Sequence, residues 1–208
     1  MMCGVVILSS FTRSVFADIL AGEFTFAKKA PDGALIYLPE DNSLSKKEAV
    51  IDQIDKEFTQ SIVVGKKDLQ ATFKNSDTIN HNIYVSDTDH NISFDIGLAV
   101  PGSIFQQKIT WEEGINIKIG CKIHPQMRAW IVSLASKYHH ILRFQDEQKT
   151  GQLEMEAPSN FSKVRVWMPG YDLVELEIKK GESKRAKTEI APGRQETVQV
   201  NSDRQSQT

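Results

Sequence analysis

The clearest signal along the chain is alternation of apolar and polar positions. Between residues 114 and 120, Ile115, Ile117 and Ile119 are separated by single residues, the period-two pattern of a strand with one face on a core. Ile62-Val63-Val64 ahead of Gly65, residues 69–73, Ile83-Tyr84-Val85, residues 106–110 and residues 130–134 repeat the strand signal. Turn residues fall between them at roughly ten-residue spacing, and the whole predicts an antiparallel sandwich or barrel. Residues 121–127 then form a loop closing between two strands.

The flanks are less regular. Phe24-Thr25-Phe26 and Ala34-Leu35-Ile36-Tyr37-Leu38 are β-rich and separated by the turn signal Pro31-Asp32-Gly33, which predicts a hairpin. Ser45 and Glu48 have capping-box spacing, yet residues 50–58 read better as a strand and a turn. Beyond residue 137, the runs 140–144, 153–155, 163–167 and 173–178 predict further β structure. Residues 181–208 are polar and rich in Gln, Ser, Lys and Glu, the composition of a disordered tail. The first 17 residues form a short apolar run ending in Val15-Phe16-Ala17, the pattern of a secretory signal cut after Ala17, without a basic n-region. The alternative is a buried first strand. The expected organisation is a signal peptide at 1–17, an N-terminal β extension at 18–57, a core at 58–136, a further β segment at 137–180 and the tail at 181–208.

Composition narrows the function classes. With 208 residues, 40% hydrophobic and 25% charged, the chain has the balance of an ordinary globular protein. A net charge of −2 supplies no global field for nucleic acid or an anionic membrane. No stretch approaches the roughly 18 consecutive apolar residues of a membrane-spanning helix. Signal cleavage would remove Cys3 and leave Cys121 as the single cysteine. In an oxidising compartment an unpaired thiol is either inert or has a partner other than sulfur.

The candidate chemistry is concentrated in Cys121-Lys122-Ile123-His124-Pro125-Gln126-Met127, with His81 upstream. Two residues between successive donors let Cys121, His124 and Met127 face one ion from three sides, and Pro125 stiffens the turn. Two imidazoles, a thiolate and a thioether suit copper in an electron-transfer site. Common zinc sites do not use methionine. Taken singly, Cys121 would be an inert core thiol and Met127 a core side chain. The shared spacing makes them a ligand set. His90 and the pair His139-His140 lack a second donor at recognisable spacing and read as solvated. Trp111, Trp130 and Trp167 read as packing anchors. No Ser/His/Asp motif, Gly-rich nucleotide loop or CxxCH is present, so an enzyme is the weakest function class.

The pattern Asn75-x5-His81-Asn82 followed by Cys121-x2-His124-x2-Met127 resembles the blue-copper cupredoxins; its short ligand loop is most like that of the amicyanin-like members, with the plastocyanin-like ones as longer-looped relatives. Over roughly residues 22–180 it also looks like secreted, methylamine-utilisation-like cupredoxin proteins, whose core is followed by a transthyretin-like or carboxypeptidase-regulatory-like β segment. The resemblance implies an all-β, Greek-key sandwich of cupredoxin type with added C-terminal strands. It implies one type 1 copper ion, with His81, Cys121 and His124 as equatorial ligands, Met127 as the axial one, and Asn82 tying the ligand loops together. It further implies a periplasmic or secreted protein that carries electrons to or from a redox protein such as a c-type cytochrome or a dehydrogenase; the sequence does not set its oligomeric state. His124 would be the electron port, within an apolar spot of Ile123, Pro125 and Ala129 and a rim of Lys122 and Arg128. The alternatives are a copper-binding or delivery protein and an interaction module with a vestigial site. The chain departs from the pattern in a long insert at 87–95 and in Gln126, where an aromatic residue often stands.

Overall fold

The computed structural model describes residues 17–26, 29–39, 41, 48–145, 147–178, 182–191 and 194–201. Within them run β1 (Ala17–Thr25), β2 (Ala34–Tyr37), β3 (Ala49–Ile54), β4 (Glu57–Phe58), β5 (Ile62–Gly65), β6 (Gln70–Asn75), β7 (His81–Asp87), β8 (Ile92–Ala99) and β9 (Ile104–Lys108). They continue with β10 (Asn116–Gly120), β11 (Arg128–Ser133), β12 (His139–Leu142), β13 (Thr150–Pro158), β14 (Lys163–Trp167), β15 (Val174–Glu177), β16 (Ser183–Ala191) and β17 (Arg194–Asn201). The expected fold class, an all-β sandwich with additional strands, is the one the chain adopts.

The first sandwich packs the sheet β5-β11-β10-β7-β8 against β4-β3-β6-β9. Its core is filled from one side by Ile83, Val85, Ile117, Ile119, Ala129 and Ile131 and from the other by Ile51, Ala71 and Phe73. The alternation that predicted these strands is the alternation of inward and outward side chains: β10 buries Ile117 and Ile119 and exposes Lys118. The second sandwich packs β13-β1-β17-β16 against β12-β2-β14-β15 around Leu20, Phe24, Ile36, Leu153, Met155, Val164 and Val166.

The two sandwiches meet on a third apolar cluster of Leu35, Tyr37, Ile62, Val64, Val132, Leu134 and Trp167, with Trp130 and Ile141 packed against it. This explains the unbroken apolar runs. In β2, Ile36 enters the second core while Leu35 and Tyr37 enter the junction. In β5, Val63 faces the first core and Ile62 and Val64 face the junction. In β11, Ala129 and Ile131 point one way and Trp130 and Val132 the other. A strand buried on both faces reads as continuous hydrophobicity. Trp130 and Trp167 meet edge to face across the junction, with ring centroids 5.4 Å apart.

Several expectations on the flanks are corrected. The proposed hairpin is not formed: β1 pairs with β13 and β17, and β2 with β12 and β14, so the two runs lie in facing sheets of one sandwich. Both bury apolar side chains in the same core from opposite sides, which a hairpin cannot do. The segment 18–57 is not one extension, because β3 alternates its buried residues into the first core and pairs parallel to β6, whereas β1 and β2 belong to the second. Residues 137–178 do supply β structure, completed by β1 and β2. The tail is not disordered where it is described, since β16 and β17 form an antiparallel pair and Val198 and Val200 are buried in the second core. Polar composition concealed a two-residue apolar alternation that one edge of a core needs. Residues 1–16 and 202–208 lie outside the described residues, and with them most of the expected signal; its cut point falls at the first residue of β1.

The docking of the tail has a measurable consequence. Val200→Ala removes fully buried methyl groups and is expected to lower the unfolding free energy by about 2 kcal/mol, read from denaturant titration. Unchanged stability would mean that β17 does not fill this core.

Candidate metal centre

Four of the expected residues come from two places at one end of the first sandwich. His81 opens β7, and Cys121, His124 and Met127 lie on the loop between β10 and β11. The loop closes on itself, with the Met127 N–H donating to the His124 carbonyl at 2.9 Å. Gly120 admits the Tyr84 ring beside the start of this loop: a Cβ there would lie 3.0 Å from Tyr84 Cε1.

The geometry brings three of the four donors together. One ligand atom each from His81, Cys121 and His124 lies within 4.8 Å of the others. His124 Nδ1 is 3.1 Å from His81 Nδ1 and 3.9 Å from Cys121 Sγ. An ion bound at about 2.0 Å by imidazole and about 2.3 Å by thiolate imposes donor separations of roughly 3 to 4 Å, and both separations at His124 fall in that range, so the donor types and spacing there suit a first-row transition ion. Met127 is buried beside Cys121 in the first core, the position a weak thioether donor and a packing residue share. His81 and Cys121 are buried, and His124 is half-buried, so the cluster meets solvent through the His124 ring.

The surroundings fix which nitrogen of His81 faces the cluster. Asp77 Oδ2 lies 3.0 Å from His81 Nε2. The Lys56 N–H donates to the same oxygen at 2.9 Å, and the Thr78 N–H donates to Oδ1 at 2.6 Å. The Lys56 bond first, then that of His81, hold the Asp77 carboxyl well below the usual carboxylate range. An ionised carboxylate only accepts, so Nε2 donates to Asp77 and Nδ1 is the nitrogen left facing His124. This is the carboxylate–histidine arrangement that orients metal-binding imidazoles. Asn75, fully buried, donates to the carbonyls of Ile79 and Ala99 and accepts from the Asp77 N–H, which shapes the loop that carries Asp77.

Asn82 links the two ligand segments as expected: its Oδ1 accepts from the Lys122 N–H at 3.3 Å. The expected surface around His124 needs two corrections. Ala129 is buried in the core, facing inward by strand alternation, and contributes nothing to an apolar spot. Exposed apolar side chains at this end are instead Ile123, Leu98 and Val100, the last two flanking Ala99, which pairs with His81. Nor is the rim simply basic, since Lys122 pairs with Asp95 at 2.6 Å and Arg128 with Asp32 at 3.1 Å.

His90 contacts Asp87 in the β7–β8 turn and His139 donates to the Ser136 carbonyl, and neither joins the cluster. Sequence reading missed Asp77 and Asp95. A carboxylate four residues before a candidate ligand was the available signal for the first; nothing local marked the second.

No protein-family model and no curated protein matches the sequence. Among solved structures, the chain is similar to a purple cupredoxin from Nitrosopumilus maritimus, at 18% identity and a TM-score of 0.36, over 41% of this chain and 99% of that one. It is similar to amicyanin from Paracoccus versutus, at 15% identity and a TM-score of 0.37, over 47% and 96% of the two chains. It is also similar to a copper-containing nitrite reductase from Thermus scotoductus, at 18% identity and a TM-score of 0.37, over 43% of this chain but 23% of that one. Likeness at this level assigns no function; the donor atoms of the chain carry the chemistry. Among the described residues no helix is long and apolar enough to cross a membrane.

The burial difference between the two imidazoles is directly testable. Brief treatment of the metal-free protein with diethylpyrocarbonate, followed by peptide mass mapping, is expected to modify exposed His90 and half-buried His124 and to spare His81. Early modification of His81 would contradict its burial and its bond to Asp77.

Proposed function

We propose that the chain is a type 1 copper protein that passes single electrons between redox partners, in the periplasm or outside the cell, and is not an enzyme. The observation that carries this reading is the convergence of two imidazole nitrogens and a thiol within 4.8 Å, buried except at the His124 edge. His81 Nδ1, Cys121 Sγ and His124 Nδ1 would hold the ion, with Met127 Sδ as the weak fourth donor. Copper supplies the one-electron couple.

The protein's contribution is to keep the donors still. His81 is held by Asp77, Cys121 by the strand end at Gly120, and the exit of the loop by β11, whose side chains are packed on both faces. Ligands that cannot move leave little to reorganise when charge changes, which favours fast transfer over chemistry on a substrate. The half-buried His124 ring is the exit for the electron. Exposed Ile123 and Pro125 beside it let a partner, such as a c-type cytochrome or a dehydrogenase, approach without stripping water from charges. Because Lys122 and Arg128 are paired, long-range steering is weak and contact rests on this apolar edge.

Copper loading with metal analysis and an optical spectrum tests the reading. One ion per chain with an intense visible band that bleaches reversibly with a reductant is the expected result. A colourless protein that binds copper and never cycles would instead favour copper handling. Cys121→Ser is expected to abolish the band, and Met127→Gln to keep the ion while shifting its reduction potential and spectrum. Pro125→Glu is expected to leave copper bound and slow electron exchange by roughly tenfold in stopped flow, because it places a charge at the contact.

A further inference from the structure

Asp95, on β8, has contacts that the ligand set does not explain. Its Oδ1 accepts from Asn82 Nδ2 at 2.6 Å and from the Gly97 N–H at 2.8 Å, and its Oδ2 accepts from Lys122 Nζ at 2.6 Å. Asn82 and Lys122 are the neighbours in sequence of His81 and Cys121. One carboxylate therefore touches both segments that supply the cluster. The β7–β8 pairing shifts register between Asn82 and Tyr84, so three residue steps on β8 oppose two on β7. Gly97 takes φ +72° within this irregularity. The extra residue is a β-bulge, which re-aims side chains near a site. Here it turns Asp95 toward Asn82.

We propose that Asp95 is a positioning residue of the metal centre, setting the orientation of the Asn82 amide so that Asn82 in turn holds the Cys121 loop. The inference rests on the reading of the site as a metal centre. An asparagine amide can be flipped with little change in shape, and only its partners decide which way it faces. Asn82 Nδ2 lies between two pure acceptors, Asp95 Oδ1 and the Gly97 carbonyl at 2.8 Å. The amide nitrogen must face them, so Oδ1 faces the Lys122 N–H. Without Asp95, the Gly97 carbonyl alone holds Nδ2, so the amide is held less firmly in this orientation and the bridge between the ligand segments loosens. The Asp95–Lys122 ion pair is exposed on both sides and contributes little by itself. The effect of Asp95 passes through Asn82.

Two readouts separate this role from plain stability. In the metal-free protein, amide hydrogen exchange at Lys122 followed by NMR is expected to be at least about tenfold faster in Asp95→Ala, with the global unfolding midpoint little changed. Asp95→Asn keeps an acceptor for Asn82 and Gly97 and loses only the ion pair, so it is expected to rescue the slow exchange. Lys122→Met, which removes the same ion pair from the other end, should also stay near wild type. In the copper-loaded protein, loss of metal to a chelator should accelerate about 10- to 100-fold in Asp95→Ala, the usual scale for residues behind metal ligands. Asn82→Ala should act alike and not add to it. Should Asp95→Ala fail to fold, Asp95→Leu, which keeps the side chain's bulk without an acceptor, makes the same comparison with Asp95→Asn. Unchanged Lys122 exchange in folded Asp95→Ala, or Asp95→Asn as impaired as Asp95→Ala, overturns the proposal. If the wild type binds no copper, the reading of the site fails, while the exchange measurement still decides whether Asp95 orients Asn82.

Discussion

The centre depends on a strand that cannot move. Strand β11 leaves the ligand loop and is packed on both sides, by Ala129 and Ile131 in the first core and by Val132 and the half-buried Trp130 at the junction of the sandwiches. A surface strand has one packed face, and its solvent face is free to adjust. Here any shift of the Met127 end of the loop would disturb two close-packed interiors at once, and interiors at crystal-like density resist such shifts. The second sandwich thus acts on the candidate metal centre without touching it, by bracing the outer face of the strand that anchors the loop.

The opposite wall of the site is held by polar contacts instead. Asn75, Asp77, Asn82 and Asp95 are joined to backbone groups and to one another by directed bonds. Packing fixes the position of a strand; hydrogen bonds fix the rotation of a ring or an amide. A ligand set needs both, because His81 must present one nitrogen rather than the other. The division of labour is by kind of constraint: packing holds the exit of the loop that carries Cys121, while the polar contacts orient His81 and tie its segment to that loop through Asn82.

This division also explains what was legible in the sequence. Strands with one buried face were readable from alternation, as in residues 114–120. The donors His81, Cys121, His124 and Met127 were readable because their residue types and spacing match one chemistry. Residues 34–38 and 62–64 could be read as strands, yet nothing local says that both faces are covered, so the second sandwich was seen only as loose β segments. Val198 and Val200 were lost in a polar background, although their alternation was visible. Asp77 and Asp95 look like any other loop or edge carboxylate. Their role is set by what lies across a turn or a bulge, which sequence distance does not reveal.

The second sandwich is assembled from both ends of the chain, β1 and β2 together with β12 to β17, while the first lies wholly between them. Residues 48–136 contain every strand of the first sandwich, whereas β1 pairs with β13 and β17, far away in sequence. The first unit's widest pairing joins Ile62 to Trp130, whereas the second needs Ala21 to meet Asn201, so its closure costs more chain entropy. Where that closure is absent, β11 has one bare face and the candidate ligand loop lacks its outer brace. The order of the site is thus coupled to pairing between strands far apart in sequence.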